Sequence, residues 1–505
     1  MGRILTNNTS LSYSIETALG VAGTAWSLLE PNEISAFGTE ITTVARDPIS
    51  KNRQRRKGTV VDLDSMVEFD HDLTLSAFDD FVEGFLFATA ANSNLEFVGA
   101  PATGTGYTVP ALSAGAAGKL QFATGGLRSL VFARGYVQPS NNGLKPLGAD
   151  PLTSGTLLTV SGLVAETPPT NAVVEIAGIR AQTGDLALAI SGSVATLSSG
   201  NNSSTSSIDF TTLGLVVGQF IHIGGLTVAN QFTEGAGFGR IRSITGPAIT
   251  LDKLSTELAA STGTGMTVDL LFGQFIRNVP VDNADFIERS FQFELESPNL
   301  MAGGASGFEY AKGNLCDSMQ VELPLSNKAT IAFGFMGTDT EVPTITRKAG
   351  ASTALDPSKT GAFNTSADIL RLRVTDVDEA GLTTDFKSVT ITFNNNVSPE
   401  KVLGQLGAKY MNTGNFEVDI EAQILFTNAD VIARIRENTT VSMDFAVRND
   451  DGAIYFDIPS MTLGGGDREL PRNESVMLNL TGEAFGDPIL KTSLSVSRFP
   501  IVPSA

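Results

Sequence analysis

The sequence predicts a mainly β protein: two tandem sandwich- or barrel-like domains, each flanked by a short α-helix, with a further β-rich region inserted in the first. Three observations predict it. The 505 residues include 51 Gly, the aromatics are mostly Phe (30), and only 17% of residues are charged, a profile that suits strands and turns better than helix bundles. Short stretches alternate apolar and polar residues with the period of a half-buried strand. One unit, made of a strand, a long loop, an acidic alternating strand and a short helix, occurs twice about 350 residues apart.

The first copy opens with GTEITTVARDPIS (residues 38–50), a strand running into a turn, and a polar segment then reaches Gly58. That segment carries Lys51, Arg53, Arg55, Arg56 and Lys57 in a chain of formal net charge -20. Short Lys/Arg runs commonly bind nucleic acid or direct localisation. Here the run lies between two strands, so it reads as a long inter-strand loop. In VEFDHDLTL (67–75), Val67, Phe69, Leu73 and Leu75 alternate with Glu68, Asp70, Asp72 and Thr74. A helix follows in SAFDDFVEGFLF, with Ser76 as N-cap, Asp79 and Asp80 in the first turn, and Phe78, Phe81, Val82, Phe85 and Leu86 on one face.

Residues 97–283 are rich in Gly, Ser, Thr and Ala with few charges, and read as an insertion. Charge and alternation return over 284–345 in RSFQFELES, SMQVELPLS and ATIAFGFMG, and TRKAGASTALDPSKTGAFNTS (346–366) reads as a linker. The second copy then runs through 367–505. KSVTITFNNNVS (387–398) matches the first strand and turn, and VSPEKVLGQLGAK matches the loop with only Lys401 and Lys409 as cations. FEVDIEAQI (416–424) sets Phe416, Val418, Ile420, Ala422 and Ile424 against Glu417, Asp419, Glu421 and Gln423 in the same phase. TNADVIARIRE repeats the helix, with Asn428 as cap, Asp430 in the first turn, and Val431, Ile432 and Ile435 facing inward. Agreement of three consecutive elements in order and phase marks a duplication, which gives a first domain of 1–96 plus 284–345 and a second of 367–505. NDDG (Asn449 to Gly452) is a hairpin turn signal.

Signals for chemistry are weak. The histidines are His71 and His222, and with one cysteine, Cys316, they cannot assemble a structural zinc site or an internal disulfide. His71 reads as a satisfied core or interface histidine, and Cys316 as a small buried hydrophobe. Gly235, Gly237 and Gly239 in EGAGFGR lack the strand-before, helix-after context of a phosphate loop, and DVDEAG, with Asp376, Asp378 and Gly381, has Ala380 where a calcium ligand belongs. No G-x-S-x-G elbow is present. The net negative charge disfavours general nucleic-acid binding. No apolar run of about 18 residues occurs, and MGRILTNNTS lacks a signal-peptide core, so a soluble, unexported chain is expected. Met1, Gly2 and Thr6 match the myristoylation pattern, which is loose enough to arise by chance.

Four stretches carry a resemblance. They are FGTEITTVARDPISKNRQRRKGTVVDLDSMVEFDHDLT with its helix, RSFQFELESPNLMAGGASGFEYAKGNLCDSMQVELPLSNKATIAFGFMG, NNNVSPEKVLGQLGAKYMNTGNFEVDIEAQILF, and GAIYFDIPSMTLGGGDRELPRNESVMLNLTGEA. In that order they are similar to the tail tube protein, or major tail protein, of long-tailed, non-contractile bacteriophages. The resemblance implies tube domains that close into rings whose inner sheets line a channel, with a long hairpin loop from each packed against neighbouring subunits and the next ring. Most of the family places six domains in a ring, so a chain with two implies homotrimeric rings of pseudo-six-fold symmetry, stacked into a tube. IDFTTLGLVVGQFIHIGG and FGRIRSITGPAITLDKLS resemble a small β-barrel module inserted in some tail tube proteins, expected here as exterior decoration.

The expected role is thus a structural virion protein, with no enzymatic activity and no cofactor, forming a conduit for DNA into the host cell. Glu68, Asp70, Asp72, Glu417, Asp419 and Glu421 are candidates for an acidic lumen that DNA slides past. Lys51, Arg53, Arg55, Arg56, Lys57, Lys401 and Lys409 are candidates for contacts between subunits or rings. The resemblance further implies a tape-measure protein, a tail terminator and distal tail proteins as partners, a place in the virion tail, assembly in the bacterial host cytoplasm and no membrane binding. A β-rich adhesin or capsid decoration protein, a glycan-degrading enzyme resting on the carboxylates, and the tube of a contractile tail or secretion machine are the alternative readings.

Overall fold

A computed structural model describes residues 5–47, 49, 51, 55–121, 127–148, 156–200, 208–357, 359–376, 382, 385–427 and 429–503. Among them the chain is mainly β, in several antiparallel sheets of which none closes into a barrel, an arrangement consistent with β-sandwich domains. The chain divides into two compact units. Unit 1 gathers Met1–Ala88, Phe286–Ser358 and Ser388–Glu421; unit 2 gathers Thr89–Asp285, Lys359–Lys387 and Ala422–Ala505.

The principal strands outside the Thr89–Asp285 segment are numbered in chain order. The N-terminal block supplies β1 (Ser10–Ala18), β2 (Glu33–Arg46), β3 (Arg56–Asp72), β4 (Phe291–Ser297), β5 (Gly307–Leu323), β6 (Thr330–Gly337) and β7 (Asp339–Thr344), with helix α1 (Asp79–Phe85). The C-terminal block supplies β8 (Ile369–Asp376), β9 (Phe386–Asn394), β10 (Ser398–Lys401), β11 (Ala408–Asn412), β12 (Glu417–Leu425), helix α2 (Asp430–Glu437), β13 (Thr440–Asn449), β14 (Gly452–Glu469), β15 (Met477–Ala484) and β16 (Ser495–Phe499).

In unit 1, antiparallel pairs run β1–β4–β5–β6–β3–β2, with β7 on the first half of β5. In unit 2 the series is β8–β13–β14–β15, with β12 bonded to β15 and β16 on the first half of β14. The two series follow the same order. Pairing topology therefore repeats where the sequence repeats. The NDDG turn is as expected, since β13 and β14 meet at Asn449↔Gly452 and the Asp451 N–H donates to Asn449 Oδ1 at 2.9 Å.

The core of unit 1 is built from phenylalanines. Phe69, Phe81, Phe291, Phe293 and Phe335 are almost wholly buried, and their ring centroids lie 4.8 to 6.4 Å apart in tilted, edge-on and stacked pairs, the arrangements that aromatic quadrupoles favour. Helix α1 begins at Asp79 with Phe78 at the N-cap, so Ser76, expected as the cap, lies two residues outside it. Its apolar face is otherwise as expected, with Phe78, Phe81, Phe85 and Leu86 buried and Val82 half-buried. Gly84 is what lets α1 sit so close: a Cβ there would lie 2.5 Å from the Phe291 ring. Helix α2 has Asp430 in its first turn and Val431 buried, Ile432 and Ile435 are half-buried, and it ends on Asn438 in the left-handed region (φ 49, ψ 43). The expected cap Asn428 lies outside the described residues.

Unit 2 also contains a ten-stranded antiparallel sheet, with strands from Glu96–Val98 to Val268–Leu271, around a large apolar core that includes Tyr107, Phe210 and Phe232. EGAGFGR leads into the strand Gly237–Ile244 and no helix follows it. His222 is buried with Nδ1 2.9 Å from the Gly224 carbonyl oxygen, and burial pushes its pKa down to about 4, so it is a neutral core group at pH 7. The strands of the sheet meet β14 through Phe220 stacked on Tyr455 at 4.6 Å and through Arg240 and Lys253, which reach Asp457 at 2.8 and 2.7 Å. Lys253 also lies 3.3 Å from Asp444, which Arg371 and Arg373 pair with from β8. Cys316, on β5, is fully buried.

Candidate assembly surface

β2 and β3 form a hairpin whose inner half is part of the unit 1 sheet and whose outer half stands clear of it. Leu63, Ser65, Val67 and Phe69 on β3 point inward and are buried. Beyond them, residues 40–47 and 55–61 are exposed apart from half-buried Gly58. This arm is not polar. One face carries Ile41 and, opposite Thr43, Val60, while Val44 lies on the other; Ile41, Val44, Val60 and Val61 remain 53, 56, 45 and 51% exposed. A lone two-stranded ribbon is marginal in water, and covering each of these side chains would gain roughly 1 kcal/mol.

Charge accumulates at the end of the arm. Arg46 on β2 faces Arg56 on β3 in the register, a like-charge cross-strand pair that costs stability unless an anion joins it. Lys51, Arg55, Arg56 and Lys57 are all exposed, and none makes an ion pair among the described residues; Arg53 lies outside them. The sequence singled out these cations but missed the apolar residues behind them. Their signal was present in TEITTVAR, where Ile41 and Val44 fall on opposite faces of one strand.

The matching loop of the second copy is a short hairpin, β10–β11, held in unit 1 by Val397, Ala408 and Met411 in a small apolar cluster with Phe87 and Leu315. Lys401 donates to Asp62 and Asp64 on β3, at 2.7 and 2.6 Å, at the base of the arm. Those two hydrogen bonds raise the Lys401 pKa, and the bond from Lys401 holds Asp62 below the usual carboxylate range. Lys409 is exposed, with its ammonium 5.2 Å from the Tyr410 ring centroid. The tip of this hairpin is apolar, with Leu403 fully exposed and Leu406 about half exposed.

The acidic strands differ from each other. On β12, Glu417, Asp419 and Glu421 are exposed, alternate with buried Val418, Ile420 and Ala422, and have no ion pair among the described residues. On β3, Glu68 is exposed but Asp70 and Asp72 are half-buried, and Asp72 accepts from Asn32 Nδ2 at 2.8 Å and Lys328 Nζ at 2.7 Å. The second stripe is therefore the more open one. His71, between them, sets its ring edge-on to Phe78 at 4.8 Å and places Nδ1 2.8 Å from the Asp72 carbonyl oxygen.

Among the described residues no group of three or more His, Cys, Asp or Glu side chains is placed to hold a metal ion. Asp378 and Gly381 of DVDEAG lie outside them, and Asp376 accepts from Arg434 at 2.9 and 2.6 Å. No helix among them is long and apolar enough to cross a membrane. The family model described as phage tail tube protein matches residues 6–484 of the chain. No curated protein matches it.

Proposed function

The chain belongs to the phage tail tube protein family, whose members are structural components of the virion tail, and from that premise we propose that it self-assembles into stacked rings forming a hollow conduit for DNA. The observation that carries this reading is the arm. Its exposed Ile41, Val44, Val60 and Val61 and its facing Arg46 and Arg56 leave both apolar surface and positive charge without a partner among the described residues, which a neighbouring subunit would supply.

Two repeated blocks per chain support a ring of three copies with six domain positions. Assembly is heterologous and open-ended along the axis, driven by burial of apolar surface and strand edges. The exposed carboxylates Glu417, Asp419 and Glu421, with Glu68, Asp70 and Asp72 as their counterparts, line the lumen and repel DNA so that it slides. The inserted sheet faces outward. Assembly takes place in the bacterial cytoplasm, with a tape-measure protein inside and terminator and distal tail proteins at the ends. Negative-stain electron microscopy of the purified protein tests the reading. Hollow tubes or rings with three-fold protrusions are expected; a monodisperse monomer that never polymerises, even with a tail initiator complex, overturns it.

A further inference from the structure

The topology leaves two strand edges that have no partner strand among the described residues. In unit 1 the second half of β5 is paired on both sides: β6 lies on one, and β9 on the other through Ser318↔Asn394 to Leu323↔Val389. One face of β9 is buried there, with Val389, Ile391 and Phe393 at 1, 0 and 0% exposure. Now β9 is the C-terminal block's counterpart of β2. Each precedes the acidic strand of its block, and the Leu425 N–H donates to the Asp385 carbonyl at 2.9 Å, tying the start of β9 to the end of β12 much as β2 is tied to β3. So the edge of β5 is covered by the strand that corresponds to β2 in the other block.

The same comparison exposes what is missing in unit 2. β14 is the counterpart of β5: β13 and β16 flank its first half as β4 and β7 flank that of β5, and β15 pairs with its second half as β6 does. Yet among the described residues no strand pairs with the other side of residues 464–469, which are exposed or half-buried, and Leu470 just beyond is 76% exposed. β2 shows the complementary gap. It has β3 on one side and, among the described residues, no strand on the other along residues 41–46. Ile41 stands where β9 has Val389, and Thr43 where it has Ile391. Unpaired edges of this length are templates for another strand.

We propose that residues 41–46 of one copy pair, as an antiparallel strand, with the open edge of β14 over residues 464–469 of a second copy, reproducing between chains the β5–β9 pairing seen within one. This rests on the reading that the chain polymerises, and it names the surface that does so. Each chain then offers one donor edge and one acceptor edge, a head-to-tail interface that can close into a ring. Ile41 becomes buried by the pairing.

Paired cysteines in the full-length chain test it, because the native Cys316 is buried. Each of residues 41–46 is combined in turn with each of residues 464–469, for example Thr43→Cys with Asp467→Cys, and assembled protein is oxidised mildly and run on non-reducing gels. One antiparallel register is expected to give covalent ladders at multiples of the protomer mass, with none from the single variants. Thr43→Cys with Val60→Cys, facing residues of one arm, is the control for oxidation. Polymers that form while no combination cross-links, with the control closing, overturn this pairing and leave the tube role intact. Failure of the unsubstituted chain to assemble at all overturns both.

Discussion

Asp457 has no counterpart in any sequence signal, yet it is a buried carboxylate that two cations hold in place. It is 1% exposed and accepts from Arg240 and Lys253, which lie more than 200 positions earlier. Burial alone would push its pKa up; the two cations outweigh burial and hold it below the usual range. Stability from this group is therefore full above the unfolded value, about pH 4, and is lost as pH falls through the lower folded value. Asp457→Asn removes the charge and leaves Arg240 and Lys253 short of an anion, which should cost about 3–5 kcal/mol. The check is a thermal melt at pH 7 and again below pH 4. The variant is expected to melt well below the parent at pH 7, and the gap to narrow in acid; an equal melting temperature at pH 7 removes the network from any role in stability. Periodicity reports which face of a strand is covered, and it cannot report which charges meet across such a separation. That is why Glu417, Asp419 and Glu421 were legible as exposed, while the pairing of Lys401 with Asp62 and Asp64 was not.

At the scale of elements, the hairpin arm combines what sequence reads well with what it reads badly. β3 already starts at Arg56, inside the stretch read as a loop, but the arm's first strand, the acidic alternation of 67–75 and the short helix were all visible, because a period of two and an amphipathic turn are local properties. Its exposure was not, since TEITTVAR followed by GTVVDL looks like any buried hairpin until the sheet beneath it is known to end at Leu63. The helix start was misplaced at Ser76 because Ser is a strong N-cap by type, whereas the helix opens two residues later, where Phe78 drops into the aromatic core and Asp79 and Asp80 reach the first turn. The arm's cations lead to a specific expectation. Arg53→Glu, Arg55→Glu and Arg56→Glu together should abolish polymerisation, measured by sedimentation and electron microscopy, while circular dichroism and the melting temperature stay at parental values. Tubes of normal salt tolerance from that variant would mean that the cations are merely solvated.

For the whole molecule, the duplication was legible in sequence because three elements kept their order and phase, and the strand order of β1–β4–β5–β6–β3 and β8–β13–β14–β15–β12 repeats it in space. Less visible was that β9 leaves its own block to complete the sheet of β5, since strand partners so far apart share no local pattern. The carboxylates belong to this scale as well, because the proposed ring would sum their charge. Glu417→Lys, Asp419→Lys and Glu421→Lys together should permit tubes but slow DNA ejection at least tenfold, read as the rate of DNA release from purified virions; unchanged ejection takes these residues out of the lumen. Cys316 bears on the molecule as a whole in a different way. It is the chain's only thiol, and it sits in β5 opposite Phe335 of β6, fully buried, with burial pushing its pKa well above that of a free thiol. A thiol reagent can reach it only when that sheet comes apart. Its modification rate in native buffer is thus a clock for opening, and comparing free protomers with polymer measures how far assembly slows that clock, with no label added to the protein.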